Sequence, residues 1–249
     1  MLELKNVCGG YGKREVVRGV SAVFPSGEIT SIVGANGCGK STLLMMCAGL
    51  LPTTAGEVLL DGTKISDIPR NALAKRVSYL EQVKSGGSIT VRSLVGHGRF
   101  PYLGYPRRYS PEDNRKIDEA MKLAGVENIA DKTLGELSGG QQQRAYIAMT
   151  LAQDTEIILL DEPLTYLDIS HQLRIMELIE QLKGLGKTII AVMHDLNLAL
   201  SYSDQIAVMR EGELTAFGAP EEIAGGEELS SALGVRVMYS QEAGQYFFK

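Results

Sequence analysis

The chain has 249 residues, of which 44% are hydrophobic and 22% charged, enough for one large domain with a buried core. Its net charge of −5 lacks the basic excess of a dedicated nucleic-acid binder, so we expect no nucleic-acid partner. No apolar run approaches the roughly 20 residues of a membrane span, no secretory signal is evident, and three unpaired cysteines favour the reducing cytosol.

The N-terminal part predicts a small β-structure. Residues 2–7 and 16–24 alternate as strands do, and a glycine-rich turn over residues 9–13 joins them. Tyr11 lies in that turn between glycines. Its ring could stack on a nucleotide base or could cover the end of the sheet, and the pattern leaves both possibilities open.

Residues 34–42 match the phosphate-binding loop G-x-x-x-x-G-K-[ST] between a predicted strand at 29–33 and an apolar run at 43–51. Backbone N–H groups of such a loop cradle phosphate oxygens, helped by the N-terminus of the next helix. Lys40 can reach the β- and γ-phosphates and Ser41 can ligate Mg²⁺. Cys38 is expected to react with thiol reagents and to be protected by a nucleotide bound with Mg²⁺. The candidate nucleotide-binding residues of this loop are Gly34, Asn36, Gly37, Cys38, Gly39, Lys40, Ser41 and Thr42.

The next segment alternates short elements with a long irregular stretch. A strand at 58–62 enters a hairpin turn, a short helix covers 69–76, and a strand at 77–81 leads to Gln82. Residues 82–109 are rich in glycine and aromatic residues, which suits an adaptable surface. Ser110 and Pro111 open a helix that Gly125 ends, and a second helix covers 140–152. Residues 84–152 are therefore expected to form a mostly helical insert.

A second anion-binding nest opens that second helix at residues 137–141. It combines a serine hydroxyl, free N–H groups and a helix N-terminus. Its candidate residues are Ser138, Gly139, Gly140 and Gln141. Two phosphate-binding devices in one chain could serve one nucleotide, two nucleotides, or one nucleotide shared by two chains.

Buried strands are predicted at 157–160 and 188–193, and polar side chains follow both. Ligands of open parallel sheets bind beyond the carboxyl ends of the strands, where Asp161, Glu162 and His194 would meet the phosphate loop. Asp161 would hold Mg²⁺ through water and Glu162 would polarise the attacking water. His194 is either a γ-phosphate contact or an ordinary loop histidine. A helix at 170–183, strands at 205–209 and 213–217, and a small appendage at 226–249 complete the chain.

The order of these motifs resembles that of ATP-binding-cassette (ABC) ATPases over nearly the whole chain. The motifs are Tyr11, residues 34–42, Gln82, residues 137–141, Asp161 with Glu162, Leu167 with Asp168, and His194. The resemblance implies a single 1–249 domain of α/β class. It would have a P-loop NTPase (RecA-like) core with a mostly parallel sheet, an N-terminal antiparallel β subdomain and a helical insert.

The resemblance also implies roles for these residues. Tyr11 would stack on adenine, and ATP and Mg²⁺ would be the cofactors. Lys40, Gln82, Glu162 and His194 would be catalytic, while Ser41, Gln82 and Asp161 would hold the metal. Two copies would pack head to tail, so that the signature at residues 137–141 of one copy closes the site of the other. Asp168 would be a further nucleotide-binding residue.

A finer resemblance, at residues 90–104 and 167–172, is to the ATPases of bacterial importers for ferric siderophores, haem and cobalamin. It implies a permease docking near residues 82–109, a substrate-binding protein acting indirectly, and a position at the cytoplasmic face of the membrane. The alternatives are a soluble ABC ATPase of the iron–sulfur assembly type and an exporter subunit.

Overall fold

The computed structural model describes residues 1–82, 87–165 and 167–234, together with the backbone of two strands near the C-terminus. The start of the expected helical insert, at 84–86, lies outside the described residues, as does part of the expected docking segment. Most of the side chains of the expected appendage at 226–249 are also outside them. Within the described residues, no helix combines the length and apolarity needed to cross a bilayer.

The strands form three sheets. In chain order they are β1 (Leu2–Tyr11), β2 (Arg14–Phe24), β3 (Ile29–Gly34), β4 (Ala55–Leu60), β5 (Thr63–Lys64), β6 (Val77–Leu80), β7 (Ile157–Asp161), β8 (Thr188–Val192), β9 (Gln205–Arg210), β10 (Glu213–Gly218), β11 (Val237–Ser240) and β12 (Gln245–Phe248). The predicted turn at residues 9–13 is mostly strand, because β1 continues to Tyr11 and pairs there with Arg14.

The helices, in chain order, are α1 (Lys40–Cys47), α2 (Arg70–Leu73), α3 (Val91–His97), α4 (Pro111–Leu123), α5 (Gly139–Ala152), α6 (Ile169–Gly184), α7 (Leu196–Tyr202), α8 (Pro220–Gly225) and α9 (Glu227–Leu233). The expected opening of α4 is confirmed: the Ser110 hydroxyl accepts from the Asp113 N–H at 3.1 Å, and the Asp113 carboxylate accepts from the Ser110 N–H at 2.9 Å. The helix expected at 69–76 is confined to α2, since the chain turns from residue 74 to enter β6.

The central sheet has the order β10-β9-β3-β8-β7-β6, and its strands are parallel except for the β9–β10 hairpin at one edge. The N-terminal sheet, β2-β1-β4-β5, is antiparallel. In the described residues between β6 and β7 the regular elements are helical. The predicted α/β class, with a mostly parallel sheet and an antiparallel subdomain, is confirmed.

Alternate residues of the parallel strands enter two different cores. Ile158 and Leu160 of β7 face a cluster that includes α4, α5 and α6, whereas Ile157 and Leu159 face α1 and the N-terminal sheet. Both faces are covered, which explains the continuous apolar runs of these strands. Leu229 of α9 is fully buried in the first cluster, so the opening part of the 226–249 segment packs against the central sheet.

Candidate functional site

The loop between β3 and α1 wraps closely around the side chain of Lys40. Gly34 has a φ of 153°, and a Cβ there would lie 2.1 Å from the carbonyl oxygen of Met209, so only glycine fits. The Lys40 Nζ donates to the carbonyl oxygens of Gly34 at 2.8 Å and Ala35 at 2.9 Å. Lys40 is buried, and its ammonium group is therefore fixed at the mouth of the loop.

Asp161, the last residue of β7, receives one hydrogen bond on each carboxylate oxygen. The Ser41 hydroxyl donates to Oδ1 at 2.8 Å, and the Tyr79 hydroxyl donates to Oδ2 at 3.1 Å. Burial raises the pKa of Asp161 above its usual value, and these two hydrogen bonds oppose that rise only in part. Burial, and then the charge of Asp161, raises the pKa of Tyr79, so the phenol remains a proton donor.

Glu162 is held by three side chains from different parts of the fold. His194 Nε2 lies 2.6 Å from Glu162 Oε1, and Gln82 Nε2 donates to Oε2 at 2.9 Å. Thr165 Oγ1 donates to the same Oε2 at 3.1 Å. The backbone of Glu162 has a φ of 51°, a conformation that costs on the order of 1–3 kcal/mol for a residue with a side chain. A carboxylate held in this way is fixed in one orientation.

Lys40 and Ser41 line one cavity of about 720 Å³ together with Gln82, Glu162 and His194. This volume is within the range of small-molecule binding sites. The phosphate loop, the ends of β7 and β8, and Val16 of β2 form its wall. Its lining residues are Val16, Asn36, Gly37, Gly39, Lys40, Ser41, Thr42, Gln82, Glu162, Leu164, Thr165, Gln172, Val192, Met193, His194 and Asp195. Most of the sequence-predicted phosphate and catalytic residues therefore meet at a single place.

Some predicted site residues lie outside that lining, and the predicted metal ligand Asp161 is one of them. Tyr11 is half exposed, and its hydroxyl donates to the Met45 Sδ at 3.5 Å. Gly34 and Cys38 are also outside the lining. Cys38 is buried, and its Sγ lies 2.9 Å from the position that a Cβ on Gly34 would occupy. None of the residues 138–141, nor Asp168, contributes to the lining.

The second nest and Asp168 are joined to each other within the chain. Ser138 caps α5, its hydroxyl accepting from the Gln141 N–H at 3.4 Å. Gly140 packs against the ring of His171: an added Cβ would lie 2.2 Å from the ring's Cδ2. The same ring contacts Asp168 through Nδ1 at 2.8 Å. Hydrogen bonds from the backbone and ring of His171 hold the pKa of Asp168 well below its usual range.

The thiol environments contradict the expectation that Cys38 is readily alkylated. Cys38 is only 7% exposed and belongs to the core cluster behind the phosphate loop. Cys47 is fully buried, and burial raises the pKa of its thiol to about 12. Cys8 is half-buried. The sequence places Cys38 in a loop, which predicted an accessible thiol, whereas the loop turns this side chain towards the core.

The donor groups beside the phosphate loop fit Mg²⁺. Ser41 and Asp161 are hard oxygen donors 2.8 Å apart. In the part of the chain that the structure describes, there is no cluster of three histidine, cysteine or acidic residues that could form an all-protein metal cage. Mg²⁺ is usually held by one or two protein oxygens together with nucleotide phosphates and water, and it does not need such a cage.

Comparison with known proteins decides the family. Residues 17–165 match the model of the ABC transporter family, which is more than half of the chain. The chain belongs to the ABC transporter family. ABC transporter ATP-binding proteins are ATPases, so this chain is an ABC ATPase.

Several relatives of this ABC ATPase are named as transport or import ATP-binding proteins. It is 44% identical to the ferric enterobactin transport ATP-binding protein FepC of Escherichia coli (strain K12), over 92% of this chain and 85% of that protein. It is 41% identical to the petrobactin import ATP-binding protein YclP of Bacillus subtilis (strain 168), over 99% of this chain and 100% of that protein.

Solved structures agree on the fold. A dimeric bacterial ABC transporter cassette is 33% identical with a TM-score of 0.77, covering 88% of this chain and 99% of that one. A metal-chelate type ABC transporter in an inward-facing conformation gives a TM-score of 0.83 at 22% identity, over 99% of this chain and 95% of that one. At that identity, the second likeness shows the fold alone.

Sequence reasoning missed two side chains of this candidate site. Thr165 donates to Glu162 and Tyr79 donates to Asp161, but neither was predicted to contact these carboxylates. Thr165 could have been suspected because it lies three residues after Glu162 in a short turn. Tyr79 is distant in sequence from Asp161, and only the pairing of β6 with β7 brings the two together.

Proposed function

We propose that this chain is the ATP-hydrolysing subunit that powers an importer of ferric siderophores across the cytoplasmic membrane. The observation that carries the proposal is the cluster at the end of β7. There Glu162 is oriented by Gln82, Thr165 and His194 beside the phosphate loop. Such a cluster serves the hydrolysis of a bound nucleoside triphosphate, since a fixed carboxylate can accept a proton from a water in line with the γ-phosphate.

Each group of the site has a part in this reaction. The loop N–H groups and Lys40 bind the phosphates, and Tyr11 stacks on adenine. Ser41, Gln82 and Asp161, the last of these through water, would hold Mg²⁺, which neutralises charge on the phosphates when bound. Glu162 accepts the proton of the attacking water, and His194 contacts the γ-phosphate. The contact of His194 with Glu162 keeps both groups at the same edge of the cavity.

The second nest is assigned to a neighbouring copy. Residues 138–141 and Asp168 do not line the cavity of their own chain. Residues 138–141 form an anion-binding nest at the N-terminus of α5, and Asp168 contacts the His171 ring beside it. In a head-to-tail homodimer this nest would face the nucleotide of the other copy. A dimeric solved cassette with 33% identity supports this arrangement.

The proposed docking surface for the permease is at residues 82–109. The described part of this segment exposes aromatic side chains, with Tyr105 fully exposed and Phe100 at 39%. Arg107 lies over the Phe100 ring, 5.2 Å from its centroid. Exposed aromatic and arginine side chains are typical of protein interfaces. Docking there would hold the chain at the cytoplasmic face of the membrane, with an extracytoplasmic substrate-binding protein acting through the permease.

The relatives favour siderophores over the other cargoes. Relatives named for enterobactin, petrobactin and iron(3+)-hydroxamate are 38–44% identical to this chain. They are also named as transport or import proteins, which favours an importer over an iron–sulfur assembly ATPase or an exporter. The cargo itself is selected by the permease and the binding protein.

Glu162→Gln tests the catalytic assignment. The substitution keeps the size of the side chain but removes its ability to take a proton, so ATP binding should persist while turnover falls by about 10²–10⁴-fold. Equilibrium binding and steady-state phosphate release measure the two properties. Glu180→Gln, an exposed acid on α6, is the matched control and should leave both unchanged. Near-normal turnover of Glu162→Gln would exclude this carboxylate as the base.

Transport is tested separately in a strain lacking this gene. Uptake of radiolabelled iron from ferric siderophores should fall, and the wild-type gene should restore it, whereas Glu162→Gln should not. Uptake of haem and cobalamin is measured in the same strain. Loss of haem or cobalamin uptake with intact siderophore uptake would overturn the cargo assignment, and intact uptake of all three would overturn the importer assignment.

A further inference from the structure

Tyr79 reaches the metal-binding carboxylate because of the register between β6 and β7. Tyr79 pairs with Leu159 in this parallel ladder. Side chains alternate between the faces of a strand, so Tyr79, Leu159 and Asp161 share the face that packs against α1. Asp161 lies two residues further along, a rise of about 6.6 Å, which is a distance that a phenol side chain spans. A register shift of one residue would place the hydroxyl on the opposite face.

The two hydrogen bonds on Asp161 come from different directions. Ser41 reaches Oδ1 from the first turn of α1, and Tyr79 reaches Oδ2 from β6. Asp161 is buried, with 5% of its surface exposed. A carboxylate with a donor on each oxygen cannot rotate about its terminal torsion without breaking a hydrogen bond.

We propose that Tyr79 is a positioning residue for the metal: its hydroxyl fixes Asp161 in the orientation that receives Mg²⁺ beside Ser41. This inference rests on the proposed metal site. The orientation is set before the metal arrives, so binding does not have to immobilise the carboxylate. In the absence of the hydroxyl, the Asp161 carboxylate is ordered only when the metal–nucleotide complex binds. This entropic cost weakens the affinity of the protein for the complex.

Tyr79→Phe isolates this effect because it removes one oxygen atom and keeps the ring. The affinity of a fluorescent, non-hydrolysable ATP analogue is measured twice, once with excess Mg²⁺ and once with EDTA. Tyr79→Phe should weaken binding in Mg²⁺ by about 3–10-fold, the cost of ordering one side chain, and should leave binding in EDTA unchanged. The readout is equilibrium binding and does not depend on turnover.

Tyr102→Phe is the matched control. Its hydroxyl donates to the Gln153 carbonyl at 3.0 Å, away from Asp161, so its removal costs a hydrogen bond of similar length without touching the metal site. Both affinities of this variant should equal those of the wild type. Thermal unfolding of both variants confirms that they fold.

A second variant that restores a hydrogen-bond donor at position 79 keeps the proposal testable even if Tyr79→Phe does not fold. Incorporation of para-aminophenylalanine keeps the ring and supplies an N–H group, and it should return the Mg²⁺-dependent affinity towards the wild-type value. Equal weakening in Mg²⁺ and EDTA would assign Tyr79 a general structural role and overturn the proposal. Unchanged or tighter binding in Mg²⁺ would overturn it as well. If Mg²⁺ does not strengthen nucleotide binding in the wild type, the metal site itself is wrong.

Discussion

A buried ion pair joins the segment before α4 to the first turn of α4, and its removal gives a sharp prediction. Arg99 and Asp113 are 4% and 6% exposed, with Arg99 Nε 2.9 Å from Asp113 Oδ1. Arg99 Nη1 also donates to the Ala152 carbonyl at 2.9 Å. The guanidinium lies 3.8 Å from the centroid of the Tyr102 ring. Asp113→Ala would leave this arginine charged, buried and without its anion.

The expected loss of stability is large. Removal of one partner of a buried ion pair costs about 3–5 kcal/mol. For a domain of this size each kcal/mol lowers the Tm by about 2–4 °C, so Asp113→Ala should unfold about 6–20 °C below the wild type. Thermal unfolding followed by circular dichroism measures the change. The double variant Arg99→Met/Asp113→Ala should be more stable than Asp113→Ala, because no unpaired charge remains inside.

Glu112→Ala provides the control on the same helix. Glu112 and Arg115 are both more than half exposed and form a surface pair, so this substitution should change the Tm little. An Asp113→Ala variant with a Tm no lower than that of Glu112→Ala would refute the argument. A double variant less stable than Asp113→Ala would also contradict it.

The pH dependence of the same pair has a definite sign. Burial opposes ionisation of Asp113, but hydrogen bonds from Ser110 and the charge of Arg99 outweigh it and hold the pKa of Asp113 below its usual value. Because the folded pKa is lowered, the stabilisation is complete above the unfolded value near ~4 and is lost as the pH falls through the folded value. The Tm difference between wild type and Asp113→Ala should stay constant from pH 8 to about 4.5 and narrow below that.

Two further predictions concern the second nest and the thiols. Gly140→Ala forces a Cβ into the space of the His171 ring, so turnover should fall about 5–30-fold for a cost of 1–2 kcal/mol. The double variant Gly140→Ala/His171→Ala should recover part of the lost turnover. Equal turnover of this double variant and of Gly140→Ala would refute the steric clash. Native alkylation should modify Cys8 faster than Cys38 or Cys47, because the last two are buried. Mass spectrometry identifies the modified residue, and rapid labelling of Cys38 would show that the loop opens.

The sequence by itself determined the features that depend on neighbouring residues. The phosphate loop, the Ser110 and Ser138 caps, and the acidic end of β7 were each recognisable because a few consecutive residues carry the required geometry. The continuous apolar runs of β7 and β8 predicted strands buried on both faces. The order of the family-specific motifs then indicated that these local features belong to an ABC ATPase.

The tertiary structure decided which distant side chains meet. The contact of Tyr79 with Asp161 depends on the β6–β7 register, and the contact of Gly140 with His171 depends on how α5 packs against the start of α6. The burial of Cys38 depends on the direction in which the loop turns its side chain. Patterns of consecutive residues do not encode such contacts, because strand register and helix packing are set by the whole core.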